Sequence, residues 1–229
     1  MKSCFQRNEL IKLEKTEDLM HIAAQIHGHY CPGLAKGVMA AVYAVNKLSV
    51  ESDGMEDLLA IVETNNCFSD GVQFTTGCTF GNNSLVFKDF GKTAFTLACR
   101  NGKGLRLCSS AKSRQIARDA FPEYQKLFQK VVVEQNRDEA LLAEYKIAAY
   151  NRSVGILKLD VNDLFDIKPV HIQIPDYARI VESFDCELCK ENTMTNRTFK
   201  NNAQQIACFD CGKSEYFMLD GNGIKKMNN

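Results

Sequence analysis

The chain lacks a net charge, because 28 Lys and Arg balance 28 Asp and Glu. No protein-wide basic field therefore draws it to nucleic acid or anionic lipid. It also lacks an apolar run long enough to span a bilayer, and its N-terminus, MKSCFQRNELIKLEKTEDL, carries charges where a signal peptide needs apolar residues. A cytoplasmic protein with no membrane association is the expectation. Internal repeats and low-complexity tracts are missing, and a composition of 45% hydrophobic and 24% charged residues excludes a disordered, collagenous or coiled-coil chain. Histidine is scarce, with four in 229 residues, a length that holds one full domain plus a smaller module.

Cysteine is the residue in excess. A chain that stays in the cytosol builds no disulfides, so ten thiols point to chemistry rather than to covalent cross-links. They fall into two sets. Cys186, Cys189, Cys208 and Cys211 form two C-x-x-C hooks separated by eighteen residues, while Cys4, Cys31, Cys67, Cys78, Cys99 and Cys108 are scattered through the first half. Two such hooks suit a tetrahedral Zn²⁺ held by four thiolates at about 2.3 Å. Gly212 is read as a positive-φ turn residue behind the second hook, and Asn192, Asn196, Asn201 and Asn202 between the hooks suit turns and short ribbons. An iron–sulfur centre is the second chemical option, and a redox pair ranks below it because redox C-x-x-C motifs come singly. A closed four-thiolate zinc has no open position, so this module is read as an attachment or recognition device.

The scarce histidines concentrate in HGHYCPG, where His27, His29 and Cys31 alternate between two predicted helices. Imidazole and thiolate are strong ligands for transition metals, and Gly28 and Gly33 free the backbone to bend so that alternating side chains converge. Cys31 stands at the start of the second helix, where unpaired N–H groups favour the thiolate. Further donors must come from a distant segment. Cys67 is the first choice for a metal ligand beside His27 and His29, while Cys78 and Asp70 join Cys31 as candidate catalytic groups. The bland alternative has the two histidines capping a helix and Cys31 acting as a small buried hydrophobe. Lys92 reads as a solvated surface lysine, Asn101-Gly-Lys-Gly104 as a hairpin turn rather than a phosphate loop, and His21 and His171 carry no signal.

Periodicity predicts helices over 16–26, with Thr16 as N-cap, and from Pro32 onward, with Leu34, Val38, Ala41, Val42, Val45 and Leu48 as one stripe. Gly37, Ala40 and Ala44 would let another backbone approach that helix. Strands are predicted over 58–64, 85–87, 92–99 and 104–108, with a short helix over 70–78 and helical periodicity returning over 113–149 as a solvated surface or dimer arm. Residues 150–182 read as mixed and connecting, and the final GNGIKKMNN as frayed. The fold class is α+β: a mostly antiparallel sheet packed with helices, plus a small C-terminal zinc ribbon. The domains are placed at 1–165 and 183–229, with 166–182 as the connection.

HGHYCPGLAKG, then VETNNCFSDGVQFTTGCTFGNNSL, then KDFGKTA resemble the FmdE family, named for the E component of formylmethanofuran dehydrogenase, in order from Leu19 to about Arg179, and the double hook is similar to the zinc-binding tail many members carry. The resemblance implies that His27, His29 and Cys31 line a metal or active site with Cys67, Cys78 and Asp70. It implies an α+β domain, a zinc-bearing second domain, an intertwined homodimer, and association with a molybdenum- or tungsten-dependent enzyme acting on a one-carbon unit. The functional expectation is a metal-binding accessory or redox-associated protein holding Zn²⁺ in the ribbon and a second transition-metal ion, Zn²⁺ among the options, in the N-terminal domain. The site either keeps a position open to a ligand or passes its metal on, and whether it catalyses a reaction is left open. The alternative is a non-enzymatic adaptor whose ribbon binds a partner protein, or nucleic acid through Lys190, Arg197, Lys200 and Lys213 with Phe199 and Phe209; Glu187, Glu191 and Asp210 offset most of that charge, which ranks nucleic acid below protein.

Overall fold

Alternating helix-forming and β-branched runs, punctuated by Gly and Asn, build the first unit. The computed structural model describes residues 2–51, 57–201 and 203–228, so Asn202 lies outside the described residues. The charged N-terminal stretch forms helix α1 (Lys2–Lys12). Helix α2 (Thr16–His27) buries Leu19, Met20, Ala23 and Ala24; it is preceded by Lys15 without a side-chain cap, so Thr16 is its first residue rather than its cap. It stops at Gly28, whose φ of 88° closes the last turn. Helix α3 (Pro32–Leu48) has Pro in its first turn and ten buried residues, among them Leu34, Val38, Ala41 and Val45.

Strand β1 (Leu58–Val62) is buried along its whole length, as a central strand covered on both faces should be. Helix α4 (Cys67–Thr76) then carries the chain to β2 (Leu85–Phe87). The helix begins at Cys67 rather than near Asp70, because the Asn66 side chain accepts from Phe68 N and caps it there. The crossover through α4 sets β2 parallel to β1, with Ile61 opposite Val86, so β2 departs from the expected run of antiparallel strands. Strands β3 (Ala94–Cys99) and β4 (Lys103–Ser109) complete antiparallel pairs beside β1, with Ile61 facing Thr96 and Thr96 facing Arg106.

The helical stretch after β4 is broken into α5 (Ser113–Ala120), α6 (Pro122–Phe128), a π turn at Gln129–Val133 and α7 (Glu139–Leu157). Asp138 caps α7 by accepting from Leu141 N at 2.9 Å, and Ala149, Ser153 and Ile156 bury the helix where it packs on α3. After α8 (Val161–Leu164), the segment expected to be a connection instead forms β5 (Phe165–His171), which pairs with β4 over its full length and sets Pro169 opposite Leu105. Pro is tolerated there because β5 is an edge strand of the order β2-β1-β3-β4-β5. The core lies between this sheet and α2, α3 and α4.

The chain divides into two units, Met1–Pro175 and Asp176–Asn229. The second consists of three antiparallel pairs: β6 (Ser183–Asp185) with β7 (Asn192–Met194), β8 (Thr198–Lys200) with β9 (Ile206–Cys208), and β10 (Tyr216–Asp220) with β11 (Gly223–Met227). The tail expected to fray is thus held in a hairpin, with Leu219 opposite Ile224. Its buried core consists of Cys186, Ala207 and Cys208 with Phe199 and Cys211 against them, too little apolar area to hold a fold alone. Among the described residues no helix is long and apolar enough to cross a membrane.

Candidate metal centres

The bend between α2 and α3 creates the first centre. Gly28 ends one helix in the left-handed region, and Cys31 caps the next in an extended conformation, its Sγ accepting from Leu34 N at 3.4 Å. Across from it, Cys67 opens α4. The two helices lie close because Gly33 and Gly37 of α3 meet the first turns of α4: a Cβ on Gly33 would stand 3.0 Å from Cys67 Cβ, and one on Gly37 only 2.1 Å from Phe68 O. Small residues at that crossing therefore put the two thiols side by side.

Donor atoms of His27, His29, Cys31 and Cys67 all lie within 4.8 Å of one another. The His27 and His29 rings are 4.3 Å apart between centroids. His27 Nδ1 is 2.7 Å from Asp70 Oδ2, and its Nε2 is 3.6 Å from Cys31 Sγ. With Nδ1–H donating to the carboxylate, Nε2 keeps its lone pair for an ion, the carboxylate–histidine–metal arrangement that fixes both tautomer and ring orientation. His27 is 9% exposed in its side chain and Asp70 48%, so the ligand is covered and its orienting partner is reached by water.

The two thiols are coupled. A hydrogen bond from Cys31 pulls Cys67 down to about 5 against its burial, with His27 and His29 helping, and the same bond together with burial pushes Cys31 up. One thiolate thus exists near neutral pH without an ion, and a cation replaces the shared proton when it binds. Two imidazoles and two thiolates form a set that fits Zn²⁺ or another borderline ion.

Cys78 does not join this group. It lies past the left-handed Gly77 that ends α4, 1% exposed, with its Sγ donating to Leu58 O at 3.6 Å. Burial raises it to about 11, which leaves it a neutral packed thiol rather than a catalytic group. The candidate catalytic role of Asp70 is likewise replaced by its contact with His27 Nδ1.

On the His29 side, a pocket of about 610 Å³ is lined by His21, Tyr30, Tyr145 and Ala149 among others. His21, which carried no sequence signal, places Nδ1 3.0 Å from Tyr30 Oη and packs against the Tyr30 and Tyr150 rings. Residues from α2, the approach to α3 and α7 meet here, a convergence with no local pattern to find it by.

The second centre gathers the Sγ atoms of Cys186, Cys189, Cys208 and Cys211 within 4.8 Å. Backbone N–H groups hold the sulfurs: Cys208 N donates to Cys186 Sγ at 3.3 Å and Cys211 N to Cys208 Sγ at 3.4 Å. Hydrogen bonds led by that from Cys189 N–H bring Cys186 down to about 6. Gly212 has a different reason to be glycine than the one expected. The positive φ values belong to Lys190 (66°) and Lys213 (50°), whereas a Cβ on Gly212 would run into the Phe199 ring at 1.8 Å. Phe199 is therefore committed to packing beneath the second hook and offers no free face for stacking bases. Among the described residues no cysteine is in a disulfide.

The family described as FmdE, molybdenum formylmethanofuran dehydrogenase operon, matches residues 26–166, which contain the whole first centre. A protein of Archaeoglobus fulgidus named as a probable S-adenosyl-L-methionine-binding protein is 37% identical over 220 residues, 93% of this chain and 57% of that protein. The chain thus spans little more than half the length of this curated relative. A crystal structure of a tungsten formylmethanofuran dehydrogenase FmdE-like protein from Syntrophus aciditrophicus matches with a TM-score of 0.54 at 23% identity, covering 86% of this chain and 91% of that one, a likeness of fold. The match through the first unit gives no preference to the adaptor reading centred on the ribbon.

Proposed function

The chain belongs to the FmdE family, and from that membership we propose that it is a metal-binding accessory protein of a molybdenum or tungsten formylmethanofuran dehydrogenase system, holding one transition-metal ion at His27, His29, Cys67 and Cys31 and a structural Zn²⁺ in the ribbon. The observation that carries this reading is the convergence of four donors within 4.8 Å, with Asp70 orienting His27 from behind. Such an arrangement is costly to assemble by chance, because unligated thiols and imidazoles gain little from crowding one another.

Of the four donors, Cys31 is the one an external ligand displaces. Its sulfur already accepts from Leu34 N–H, which lowers its donor strength, whereas His27 is oriented by Asp70. The centre then keeps three protein ligands and an exchangeable position, the arrangement used for binding a reacting group or handing an ion on. The redox association lies with the partner enzyme, and the homodimer is carried in the same proposal, to be read by sedimentation.

Elemental analysis of anaerobically purified protein tests it. The unaltered chain is expected to carry two ions and a His29→Ala, Cys67→Ala double variant one. A chain that binds nothing at the first centre after reconstitution with Zn²⁺, Fe²⁺ and Cu⁺, while its ribbon is loaded, would overturn the reading.

A further inference from the structure

On the Cys67 side of the first centre, the surface opens into a cleft of about 740 Å³. Its lining includes Lys36, Lys92, Arg114 and Arg152 and, among the described residues, no Asp or Glu. These cations come from α3, the segment leading into β3, α5 and α7, so the fold brings them together across more than a hundred residues of chain. Lys36 donates from Nζ to Ser113 Oγ. Arg152 lies over the Tyr124 ring at 4.3 Å from its centroid, and its Nε is buried with no hydrogen-bond partner.

Like charges gathered in one concavity repel one another, and the repulsion is strongest where water is displaced. Burial, with Arg152 and Arg114 nearby, brings the Lys36 ammonium down to about 8. The first turns of α3 and α4, at Pro32, Gly33, Asn66, Cys67 and Phe68, open on the same cleft. Their unpaired N–H groups and helix dipoles favour negative charge in that space. Every fixed charge and dipole around the cleft therefore has one sign.

We propose that this cleft binds a small molecule through its phosphate or carboxylate group, with Lys36, Arg114 and Arg152 gripping the anion, Lys92 at the rim, and the remainder of the molecule reaching Cys67. The volume lies within the roughly 300–1,000 Å³ typical of small-molecule sites and exceeds what a bare anion fills. Guanidinium groups suit both anions, since their paired N–H donors match two oxygens at once. Anion binding needs only the cations, so it stands or falls apart from the metal, although the position of Cys67 joins the two sites.

The test is calorimetric titration of the full chain with inorganic pyrophosphate and, separately, with citrate, at two salt concentrations. At least one probe is expected to bind one to one, more weakly at high salt, and comparison of the two tells phosphate from carboxylate. Lys36→Gln and Arg152→Gln are expected to weaken binding about tenfold or more, the loss of one charge-assisted contact. Lys92→Gln and Arg114→Gln change exposed side chains, keep the fold, and are expected to weaken it severalfold. His29→Ala, which empties the metal centre, is expected to leave the affinity unchanged. The proposal is overturned if neither probe binds, or if the rim variants bind as tightly as the unaltered chain.

Discussion

Gly37 and Gly71 meet backbone to backbone where α3 crosses α4: a Cβ on Gly71 would lie 2.4 Å from Leu34 O and 2.7 Å from Val38 N, and Gly37 Cα is its next neighbour at 2.9 Å. The crossing holds the start of α3 against the start of α4, which is where Cys31 and Cys67 stand. Helix packing at this point thus positions the thiols of the first centre.

Gly71→Ala is expected to force the helices apart. The overpacking costs about 1–3 kcal/mol, read as a lower unfolding midpoint of the first unit, and the variant is expected to lose its N-terminal ion more readily while the ribbon keeps its own. Unchanged stability and unchanged metal content would show that the crossing is not the positioning device.

Asp70→Asn keeps a hydrogen-bond acceptor for His27 Nδ1 but removes the carboxylate charge. Replacing such an orienting group costs about 10–100-fold in metal affinity, measured by competition with a chelator. The fold is expected to be unaffected, because the Asp70 side chain is 48% exposed.

Cys31→Ser and Cys67→Ser are expected to differ. The Cys67 variant loses the ion outright, whereas the Cys31 variant retains it at reduced affinity, since Cys31 Sγ is already committed to Leu34 N. Equal loss in the two variants would contradict the assignment of Cys31 as the exchangeable donor.

Glu63 supplies a pH signature remote from either metal centre. Its carboxylate accepts from Arg106 Nε at 2.6 Å and Nη2 at 2.7 Å, and these bonds hold it below its ordinary 4.5 despite burial. A group whose pKa is depressed in the folded state stabilises that state fully above the unfolded value. That stability is lost as pH falls from about 4.5 through the lower folded value. Denaturant titrations across this range should show the steep decline in the unaltered chain and a flatter one in Glu63→Gln. The variant is expected to be about 1.5–3 kcal/mol less stable at neutral pH, the worth of hydrogen bonds to a charged group.

Much of the architecture is written locally. The helical stripe from Leu34 to Leu48, the buried run Leu58–Val62 and the two hooks of the ribbon each carry their own pattern. The grouping of His27, His29 and Cys31 is legible because histidine is rare and Gly28 breaks the helix there. What stays hidden depends on which way a side chain faces after the chain has folded. Cys78 resembles Cys67 in sequence, yet it follows the C-cap of α4 and turns into the core, whereas Cys67 opens the first turn and faces the metal centre.

The parallel pairing of β2 and the recruitment of β5 by β4 leave no local mark, since both depend on partners distant in the chain. Pro169 suggests a connection and in fact marks an edge. Gly212 reads as a turn residue because the side chain that excludes a Cβ there, Phe199, stands 13 positions earlier and leaves no trace in the local pattern. The cations of the cleft are hidden for the same reason: taken singly along the chain, each resembles a solvated surface residue, as Lys92 does.

The central claim, that two imidazoles and two thiolates of the first unit form a metal centre, is tested most directly by X-ray absorption on a Cys189→Ser, Cys208→Ser variant, whose ribbon no longer competes. The expected zinc spectrum has a mixed shell, nitrogen near about 2.0 Å and sulfur near about 2.3 Å, with one ion per chain. A variant that retains no ion, or an ion surrounded only by oxygen and nitrogen, would contradict it.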